Sequence, residues 1–406
     1  MNDGMALTLR TLTADDLPEF QRVVNSSFLM DSVEDQLERW RGLFEPERHH
    51  AVFDGDELIG GGGIQSREIT LPGTGPRPVA AVTSVGVKPG HRRRGVLTRV
   101  MRAQLHGLHD EGGEAIAALW ASEAAIYPRF GYGLAAEFAR LEVPRGAKFR
   151  SGVSIGDDRV REVSRDEAMP VMKAVYEDLR PGRTGWLSRT DAAWEHQFAD
   201  TERDRGGLTA YHYALHPQGY AAYRIKHDWQ DRGPRNELHV REIAARTDEA
   251  YAALYRYLLD VDMVGELKFF TASDDPVTHL LDDARLALRG RSDSLWVRIV
   301  DVDRALTQRR YGSDVDVVLD VADEFCPWNA ARWRFTVKDG AATVQRVDDD
   351  PDVVLDVQAL GAAYLGGTRL TSLARAQRVR EVTAGALNAL SHALLGDQDP
   401  HCPEVF

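Results

Sequence analysis

The sequence predicts a mixed α/β (α+β) chain of three domains, of which the first two share one fold. Strand-like and helix-like patterns alternate over the first 145 residues in the order β-α-α-β-β-β-α-β-α-β. After a Gly- and charge-rich linker at residues 145–158, the opening pattern of strand, acidic cap and helix recurs. Near residue 293 the character changes to alternating strands followed by helices. The predicted domains are 1–145, 146–292 and 293–406.

In the first domain, local signals mark where the elements begin and end. Thr13-Ala14-Asp15-Asp16 reads as a helix N-cap with acids in the first turn, and Asp54-Gly55 is a hairpin turn signal. Residues 70–78 are rich in turn formers. The predicted strands are 7–12, 51–53, 57–64, 79–87, 115–121 and 138–143, and the predicted helices are 17–28, 35–44, 96–111 and 124–129.

The second domain repeats the first weakly but in register. L-R-T-L-T-A-D-D-L-P-E-F near the start of the chain matches V-R-E-V-S-R-D-E-A-M-P-V after the linker. We predict strands at 160–163, 208–215, 220–226, 237–244 and 266–271, with helices at 168–179 and 248–261. The third domain has predicted strands at 296–300, 315–321, 331–337, 342–346 and 353–357, and helices at 302–309, 357–365, 372–379 and 384–395.

Composition restricts the class of protein. A net charge of −13 argues against general nucleic-acid binding and suits cationic small molecules. Two cysteines, Cys326 and Cys402, provide neither a disulfide framework nor metal-ligand spacing. The first ten residues lack an apolar segment after a basic start, and no run of eighteen apolar residues predicts a membrane span. We therefore expect a cytoplasmic protein.

Residues 84–95, S-V-G-V-K-P-G-H-R-R-R-G, join an apolar strand pattern to a basic, glycine-bounded loop and a helix start. A helix N-terminus offers free N–H groups and a positive dipole end, and the arginines add charge. A charge run alone is usually a solvated turn. The combination of strand, loop, glycine and helix favours a pyrophosphate site instead. The matching position of the second domain reads A-A-R-T-D-E-A, so we predict a copy without cofactor.

The motif V-x-V-x-P-x-x-R-R-x-G in this stretch resembles the acetyl-CoA pyrophosphate loop of the GNAT superfamily of N-acetyltransferases. A-S-E-A-A-I-Y-P-R-F-G-Y-G at residues 121–133, the three-domain length and the terminal Phe406 resemble the enhanced-intracellular-survival (Eis) family. The resemblance implies two tandem GNAT domains, the second without cofactor, and a C-terminal domain similar to sterol carrier proteins. It also implies a homohexamer and acetyl-CoA as co-substrate, with no metal.

The resemblance also implies roles for the loop. Main-chain groups of the strand would bind the pantetheine arm, and the basic loop would hold the pyrophosphate. The positions that match the family pattern are Val85 and Val87 for pantetheine, and Arg92, Arg93, Gly95 and Val96 for pyrophosphate.

For the chemistry, the resemblance implies Tyr127 as general acid and the terminal carboxylate of Phe406 as base. A tyrosine with a pKa of about 10 can protonate a thiolate leaving group if it is well placed. Most tyrosines simply pack, and Tyr132 is a competing candidate. A carboxylate with a pKa of about 3.5 is a weak base, so it would work better by binding the substrate ammonium or through water. His50 and His91 are further candidate bases, and a disordered tail is the ordinary alternative for Phe406.

A substrate pocket is expected to have an aromatic wall from Phe28, Trp40 and Phe44 and an acidic rim from Glu404. The family has a carboxylate two residues after the match to Phe28. Here that position is Met30, followed by Asp31, and Ser84 stands where the family can have a bulky aromatic residue.

An acidic, roomy pocket would favour polycations: aminoglycosides, polyamines or lysine side chains. The alternative function is a non-enzymatic acyl-CoA sensor or lipid-binding protein on an inactive scaffold. The third domain could enclose a lipid tunnel or act as a buttress that delivers Phe406, and we prefer the buttress.

Overall fold

The computed structural model describes residues 7–32 and 34–406. The expectation of no leader segment rests partly on residues 1–6, which lie outside the described residues. Two seven-stranded sheets and one five-stranded sheet, together with a small two-stranded ribbon, carry the helices. The mixed α/β prediction is therefore confirmed. In the described part of the chain, no helix combines the length and the apolar character needed to cross a bilayer.

The first sheet has the strand order β1-β2-β3-β4-β5-β16-β6, with helices packed on both faces. Alternate residues of β2 face opposite sides of the sheet. Val52 packs on the side that α3 covers, whereas Ala51 and Phe53 pack on the side that α1 covers. The strands are β1 Thr8–Thr11, β2 His49–Asp54, β3 Glu57–Leu71, β4 Gly75–Val87, β5 Ile116–Trp120, β6 Gly133–Leu134 and β16 Leu295–Ile299; the helices are α1 Leu17–Ser27, α2 Glu34–Arg41 and α3 Val96–Glu111.

The second sheet has the order β15-β7-β14-β13-β10-β9-β8. Its strands are β7 Glu137–Pro144, β8 Arg161–Val163, β9 His212–His216, β10 Gly219–Lys226, β13 Asn236–Ala245, β14 Val264–Ala272 and β15 Leu288–Asp293; β11 Trp229–Gln230 and β12 Gly233–Pro234 form the ribbon. The helices are α4 Arg165–Leu179, α5 Asp191–Gln197, α6 Asp248–Asp260 and α7 Val277–Leu280.

The two large sheets exchange strands. We expected residues 138–143 to complete the first domain, yet β7 lies in the second sheet between β14 and β15. In return, β16, expected to open the third domain, lies in the first sheet between β5 and β6. Sheet membership therefore does not follow the boundaries predicted at residues 145 and 292. Residue alternation identifies a strand but does not specify its partner, so this exchange was hidden from sequence reasoning.

The two exchanged strands meet at a single crossing point. The N–H of Ala135 donates to the carbonyl of Leu295 at 2.9 Å, and the N–H of Ser294 donates to the carbonyl of Ala136 at 3.0 Å. The two chain segments that connect the sheets, residues 135–136 and 294–295, are therefore hydrogen-bonded to each other through their backbones.

The third sheet has the order β19-β18-β17-β20-β21, and its core is continuous with that of the first domain. Phe335, Leu360 and Tyr364 are fully buried in the same cluster as Ile69 and Ile116. The strands are β17 Val315–Ala322, β18 Ala331–Lys338, β19 Ala341–Arg346, β20 Val353–Asp356 and β21 Val379–Glu381; the helices are α8 Val302–Thr307, α9 Val357–Ala363, α10 Leu370–Arg375 and α11 Ala386–Leu394. A filled core shared with a neighbour fits the buttress interpretation.

Some element boundaries differ from the predictions. The turn-rich stretch at residues 70–78 belongs mostly to a long β3–β4 hairpin. The strand tolerates Pro76 and Pro78 because at these positions β4 is paired with β3 alone. The predicted helix at 124–129 is a 3₁₀ turn, Tyr127–Phe130. The strand predicted at 208–215 begins at His212, and the helix predicted at 372–379 ends at Arg375. Helix α5 was missed.

A buried ion network ties the three domains together. One carboxylate oxygen of Glu404 accepts from Arg67 at 2.5 Å, and the other accepts from Arg189 at 3.1 Å. Arg189 also holds Glu242 through bonds of 3.1 and 2.7 Å, and the Tyr220 hydroxyl donates to Glu242 at 2.5 Å. Burial alone would raise the pKa of Glu242, but Arg189 keeps it below its usual value. The Arg189–Glu242 pair therefore stays charged while it is out of contact with water.

We expect Glu404→Gln to lower the apparent free energy of unfolding by about 3–5 kcal/mol, because it leaves Arg67 and Arg189 buried without their shared counter-charge. Urea denaturation followed by tryptophan fluorescence measures the change. Glu195→Gln, which breaks an exposed pair with Arg165, is the matched control and should cost at most about 1 kcal/mol. Equal losses in the two variants would contradict a structural role for the buried network.

Candidate active site

A β-bulge in β4 shapes the first-domain site. Gly61 pairs with Gly86 and Gly63 pairs with Thr83, so two residues of β4, Ser84 and Val85, lie opposite one residue of β3. The backbone of Ser84 has a φ of 53°, in the left-handed region that side chains rarely adopt. The bulge bends the strand at the level of the predicted cofactor motif.

Strands β4 and β5 diverge before the bulge is reached. Their parallel pairing consists of Ala80 with Ala117 and Ala81 with Ala118. Residues 82–87 of β4 continue past the last pair without a partner on that side among the described ladders. Parallel strands that separate at their carboxyl ends leave a wedge with free main-chain groups, which is where ligands bind in open α/β sheets.

The wedge opens into a cleft of about 810 Å³. It brings together every residue that the sequence predicts for cofactor binding, and Tyr127 as well. The cleft residues that matter here are Phe28, Val85, Val87, His91, Arg92, Arg93, Gly95, Val96, Glu123 and Tyr127.

The basic loop fits a pyrophosphate. Gly95 has a φ of 80° and caps α3 without a side chain, and the first helical bond runs from the Arg99 N–H to the Gly95 carbonyl at 3.1 Å. The N–H groups of residues 96–98 therefore have no intrahelical acceptor and point out of the helix end. Arg92 and Arg93 are exposed, and neither forms an ion pair with a described residue. Arg94, by contrast, is paired with Asp54 at 2.8 Å.

Tyr127 begins the 3₁₀ turn that follows β5, and its side chain is 5% exposed. Burial, with a smaller contribution from Glu123, raises its pKa to about 12. The ring meets that of Tyr132 edge-on at 5.8 Å. Tyr132 is completely buried and does not line the cleft, and its hydroxyl has no hydrogen-bond partner among the described residues. The geometry therefore favours Tyr127 as the hydroxyl that a cleft ligand can reach.

Phe406 lies in a second, smaller pocket of about 80 Å³, together with Trp40 and Phe44. Ser84 lines this pocket while Val85 lines the cleft, so the two spaces adjoin across the bulge. The lining contains no Asp or Glu side chain among the described residues. We expected a roomy, acidic pocket, but the pocket is narrow, and Phe406, the residue that bears the terminal carboxylate, is among its lining residues.

Two predicted substrate residues lie elsewhere. Phe28 lines the cofactor cleft and not the pocket of Trp40. Glu404, expected on an acidic rim, is 1% exposed and neutralised by Arg67 and Arg189. The two arginines come from two different domains, so their convergence on one glutamate could not be read from local sequence.

The histidines near the two spaces are not the pair that the sequence offered as candidate bases. His91 is half-buried at the cleft, and His50 lines neither space. Sequence reasoning missed His49 and His196, which both line the pocket of Phe406. Burial lowers the pKa of His49 to about 4 and also lowers that of His196, to which Arg39 adds. Both rings are therefore neutral at pH 7.

Comparisons with known proteins agree with this architecture. Family models of acetyltransferase (GNAT) domains match residues 8–135 and 185–299, and a sterol carrier protein domain matches residues 302–403. An uncharacterized N-acetyltransferase of Streptomyces avermitilis is 39% identical over 380 residues, covering 92% of each chain. N-acetyltransferase Eis of Mycobacterium tuberculosis is 35% identical over 405 residues, covering 97% of this chain and 98% of its own.

Solved structures agree as well. The crystal structure of Eis1 from Mycobacterium abscessus superposes with a TM-score of 0.86 at 32% identity, covering 98% of this chain and 100% of that one. Fold and matches together define the class: this is an N-acetyltransferase with tandem GNAT domains and a sterol carrier protein domain. Within that class, the chain belongs to the Eis family. Acetyltransferases of this kind use acetyl-CoA as the acetyl donor.

We expect the double change Arg92→Ala and Arg93→Ala to weaken acetyl-CoA binding about 10- to 100-fold, since each arginine can donate charge-assisted hydrogen bonds to phosphate. Titration calorimetry with CoA measures the loss. Arg94→Ala, in the same loop but paired with Asp54, is the matched control and should change affinity little. An equal loss in the control would mean that net loop charge, and not the two named arginines, holds the pyrophosphate.

Proposed function

We propose that the protein transfers the acetyl group of acetyl-CoA directly to a primary amine of a polycationic small molecule. The observation that carries the proposal is the sharing of one cleft by the basic loop and the Tyr127 hydroxyl, with the Phe406 pocket next to it across the bulge. The candidate substrates are aminoglycosides, polyamines and lysine side chains.

The cleft would hold the donor at two points. Arg92, Arg93 and the free N–H groups from Gly95 and Val96 onward would bind the pyrophosphate. Main-chain groups of Val85 and Val87, on the open side of β4, would bind the pantetheine arm. A main-chain N–H near Val87 would also stabilise the negative charge that develops on the carbonyl oxygen.

The thioester supplies an activated acetyl group. In direct transfer, the neutral amine nitrogen attacks the thioester carbon, a C–N bond forms and the C–S bond breaks. The amine loses one proton, and the thiolate gains one. The Tyr127 hydroxyl would donate the proton to sulfur and regain one from solvent. Its raised pKa keeps the side chain protonated throughout the physiological range, and it also makes the hydroxyl a weaker acid than an exposed tyrosine.

The Phe406 carboxylate would bind the incoming ammonium. At a pKa of about 3.5 it is a weak proton acceptor, so we propose that it orients the amine and passes the proton on through water. The neutral imidazole of His196 lines the same pocket and offers a second acceptor.

The substrate class follows from size and charge. A pocket of about 80 Å³ suits one aminoalkyl arm and not a whole polycation, so the rest of the molecule would lie outside it. The net charge of −13 favours the approach of cations. The cytoplasmic location expected from composition and the homohexamer implied by the family resemblance stay predictions.

The alternative that the sequence leaves open is a non-enzymatic acyl-CoA sensor or lipid-binding protein, and no feature of the described residues favours it over the acetyltransferase. The lipid form is weakened by the filled core of the third domain. The sensor form gives no role to a cleft-lining tyrosine beside the thioester site. Binding of CoA without release of its thiol on a broad panel of amines would support the sensor.

We expect purified protein to release CoA thiol in the presence of acetyl-CoA and either kanamycin or spermine. Tyr127→Phe should lower kcat about 100-fold or more, because the leaving thiolate loses its proton donor. Tyr132→Phe is the matched control, since it removes a neighbouring hydroxyl that has no described partner. Thiol release monitored with a chromogenic disulfide measures both. Equal rates for Tyr127→Phe and wild type would remove the general-acid role.

The pH profile gives an independent check. Since burial raises the pKa of Tyr127 to about 12, the acid keeps its proton as the solution becomes alkaline. We expect kcat not to fall between pH 8 and about pH 10.5, whereas a tyrosine of ordinary pKa would be half ionised at about pH 10. Steady-state rates at saturating amine measure this. An alkaline fall with a midpoint near 10 that is absent in Tyr127→Phe would contradict the raised pKa.

A further inference from the structure

The second domain contains the same wedge as the first. Strands β13 and β14 are parallel, as β4 and β5 are, and helix α6 follows β13 as α3 follows β4. The β13–β14 pairing runs from Asn236 with Val264 to Val240 with Phe269 and stops there. Residues 241–245 and 270–272 continue beyond the last pair, so these strands also diverge at their carboxyl ends. By topology, this wedge is the counterpart of the cofactor cleft.

The C-terminal segment lies in that wedge. The space between the diverging strands is lined by residues 242–245 and 270–272, by Tyr251 of α6, and by Gln398, Asp399, His401 and Pro403 of the tail. About 80 Å³ remains open on this side of the tail and about 530 Å³ on its other side, against one cleft of about 810 Å³ in the first domain. The tail therefore lies where the pantetheine arm would lie in an active copy.

The second domain binds the tail mainly through its backbone. The N–H of His401 donates to the Thr184 carbonyl at 3.0 Å. Arg241 donates to the Pro403 carbonyl at 3.0 Å, and the side-chain amide of Gln197 donates to the Val405 carbonyl at 2.7 Å. Contacts at residues 401, 403 and 405 recur at every second residue, as expected for an extended segment held along one side.

In the second domain, the N-terminus of α6 would be the end that receives a pyrophosphate, but side chains of this chain already occupy it. The Thr247 side chain caps α6 by accepting the Ala250 N–H at 3.2 Å, and Asp248 and Glu249 occupy the first turn. The first turn of α3 carries no acid and its cap is Gly95. Two carboxylates beside the N–H groups would repel a pyrophosphate, so the second wedge is open to a neutral backbone and closed to CoA.

We propose that the cleft of the second domain is a binding site for the chain's own C-terminal segment, and that Arg241 and Gln197 are positioning residues for the Phe406 carboxylate. The terminus lies three residues beyond the Pro403 contact and one beyond the Val405 contact, which limits the reach of Phe406 to about 10 Å from the first and about 3.5 Å from the second. The hydrogen bonds to residues 401, 403 and 405 support the docking without reference to any activity. The consequence of docking for catalysis rests on the proposed function.

The test compares full-length Arg241→Ala and Gln197→Leu with wild type, and Arg140→Ala is the matched control. Arg140 lines the neighbouring cavity but donates to no tail atom among the described hydrogen bonds. Hydrogen exchange of residues 397–406, read by mass spectrometry, and the rate of Phe406 release by carboxypeptidase both report docking without any acetyl transfer. We expect both rates to rise about tenfold in the two tail variants and to stay at the wild-type value in the control.

Arg241→Lys should restore part of the protection, because the ammonium can still donate to the Pro403 carbonyl. Unchanged exchange in Arg241→Ala and Gln197→Leu, or two CoA molecules bound per chain in titration calorimetry, would overturn the proposal. If the tail is released in both variants, we expect the KM for the amine to rise more than kcat falls, since the ammonium loses its carboxylate; unchanged kinetics would overturn the positioning role. A released tail in a protein that acetylates no amine would support docking and contradict the proposed function.

Discussion

The position of Phe406 depends on one buried glutamate. Glu404 belongs to the tail of the third domain, and its two oxygens are bound by Arg67 of the first sheet and by Arg189 of the second domain. Glu404 has both of its counter-charges only when all three domains are in place, and Arg67 has no other acidic partner among the described residues, so both would be costly to bury alone. The pairing therefore contributes specificity of assembly more than net stability. A chain with the first or the second domain misplaced would leave Glu404, two residues from the proposed active carboxylate, with only one of its two counter-charges.

Sequence reasoning located the parts of the site that one continuous segment encodes. The loop at residues 84–95 could be predicted because strand, glycine, arginines and helix start succeed one another, and local backbone geometry decides where such a segment leads. The repeat of the opening motif likewise revealed the second domain, and the loss of arginines there predicted the loss of cofactor. Tyr127 came from a contiguous motif as well.

The parts that depend on distant segments could not be predicted in this way. Alternation in β7 and β16 identifies two strands but does not encode that each crosses to the other sheet. Glu404 near the terminus has the composition of a solvated residue, and only the fold brings two arginines to it. His49 and His196 are far apart along the chain and share a pocket only because α5 packs against the first domain. These are consequences of packing, which local pattern does not contain.

We propose that the two GNAT copies differ in function because the helix after the diverging strand begins differently in each. Both copies have a strand that separates from a parallel partner and leads into a helix, so the backbone offers the same wedge twice. In the first copy Gly95 leaves the helix end bare and the arginines supply charge. In the second, Thr247 caps the helix and acids occupy its first turn, so an anion is disfavoured and an extended peptide can bind instead. The chemistry of the site then depends on both copies, because the peptide held by the second carries the carboxylate that the first would use.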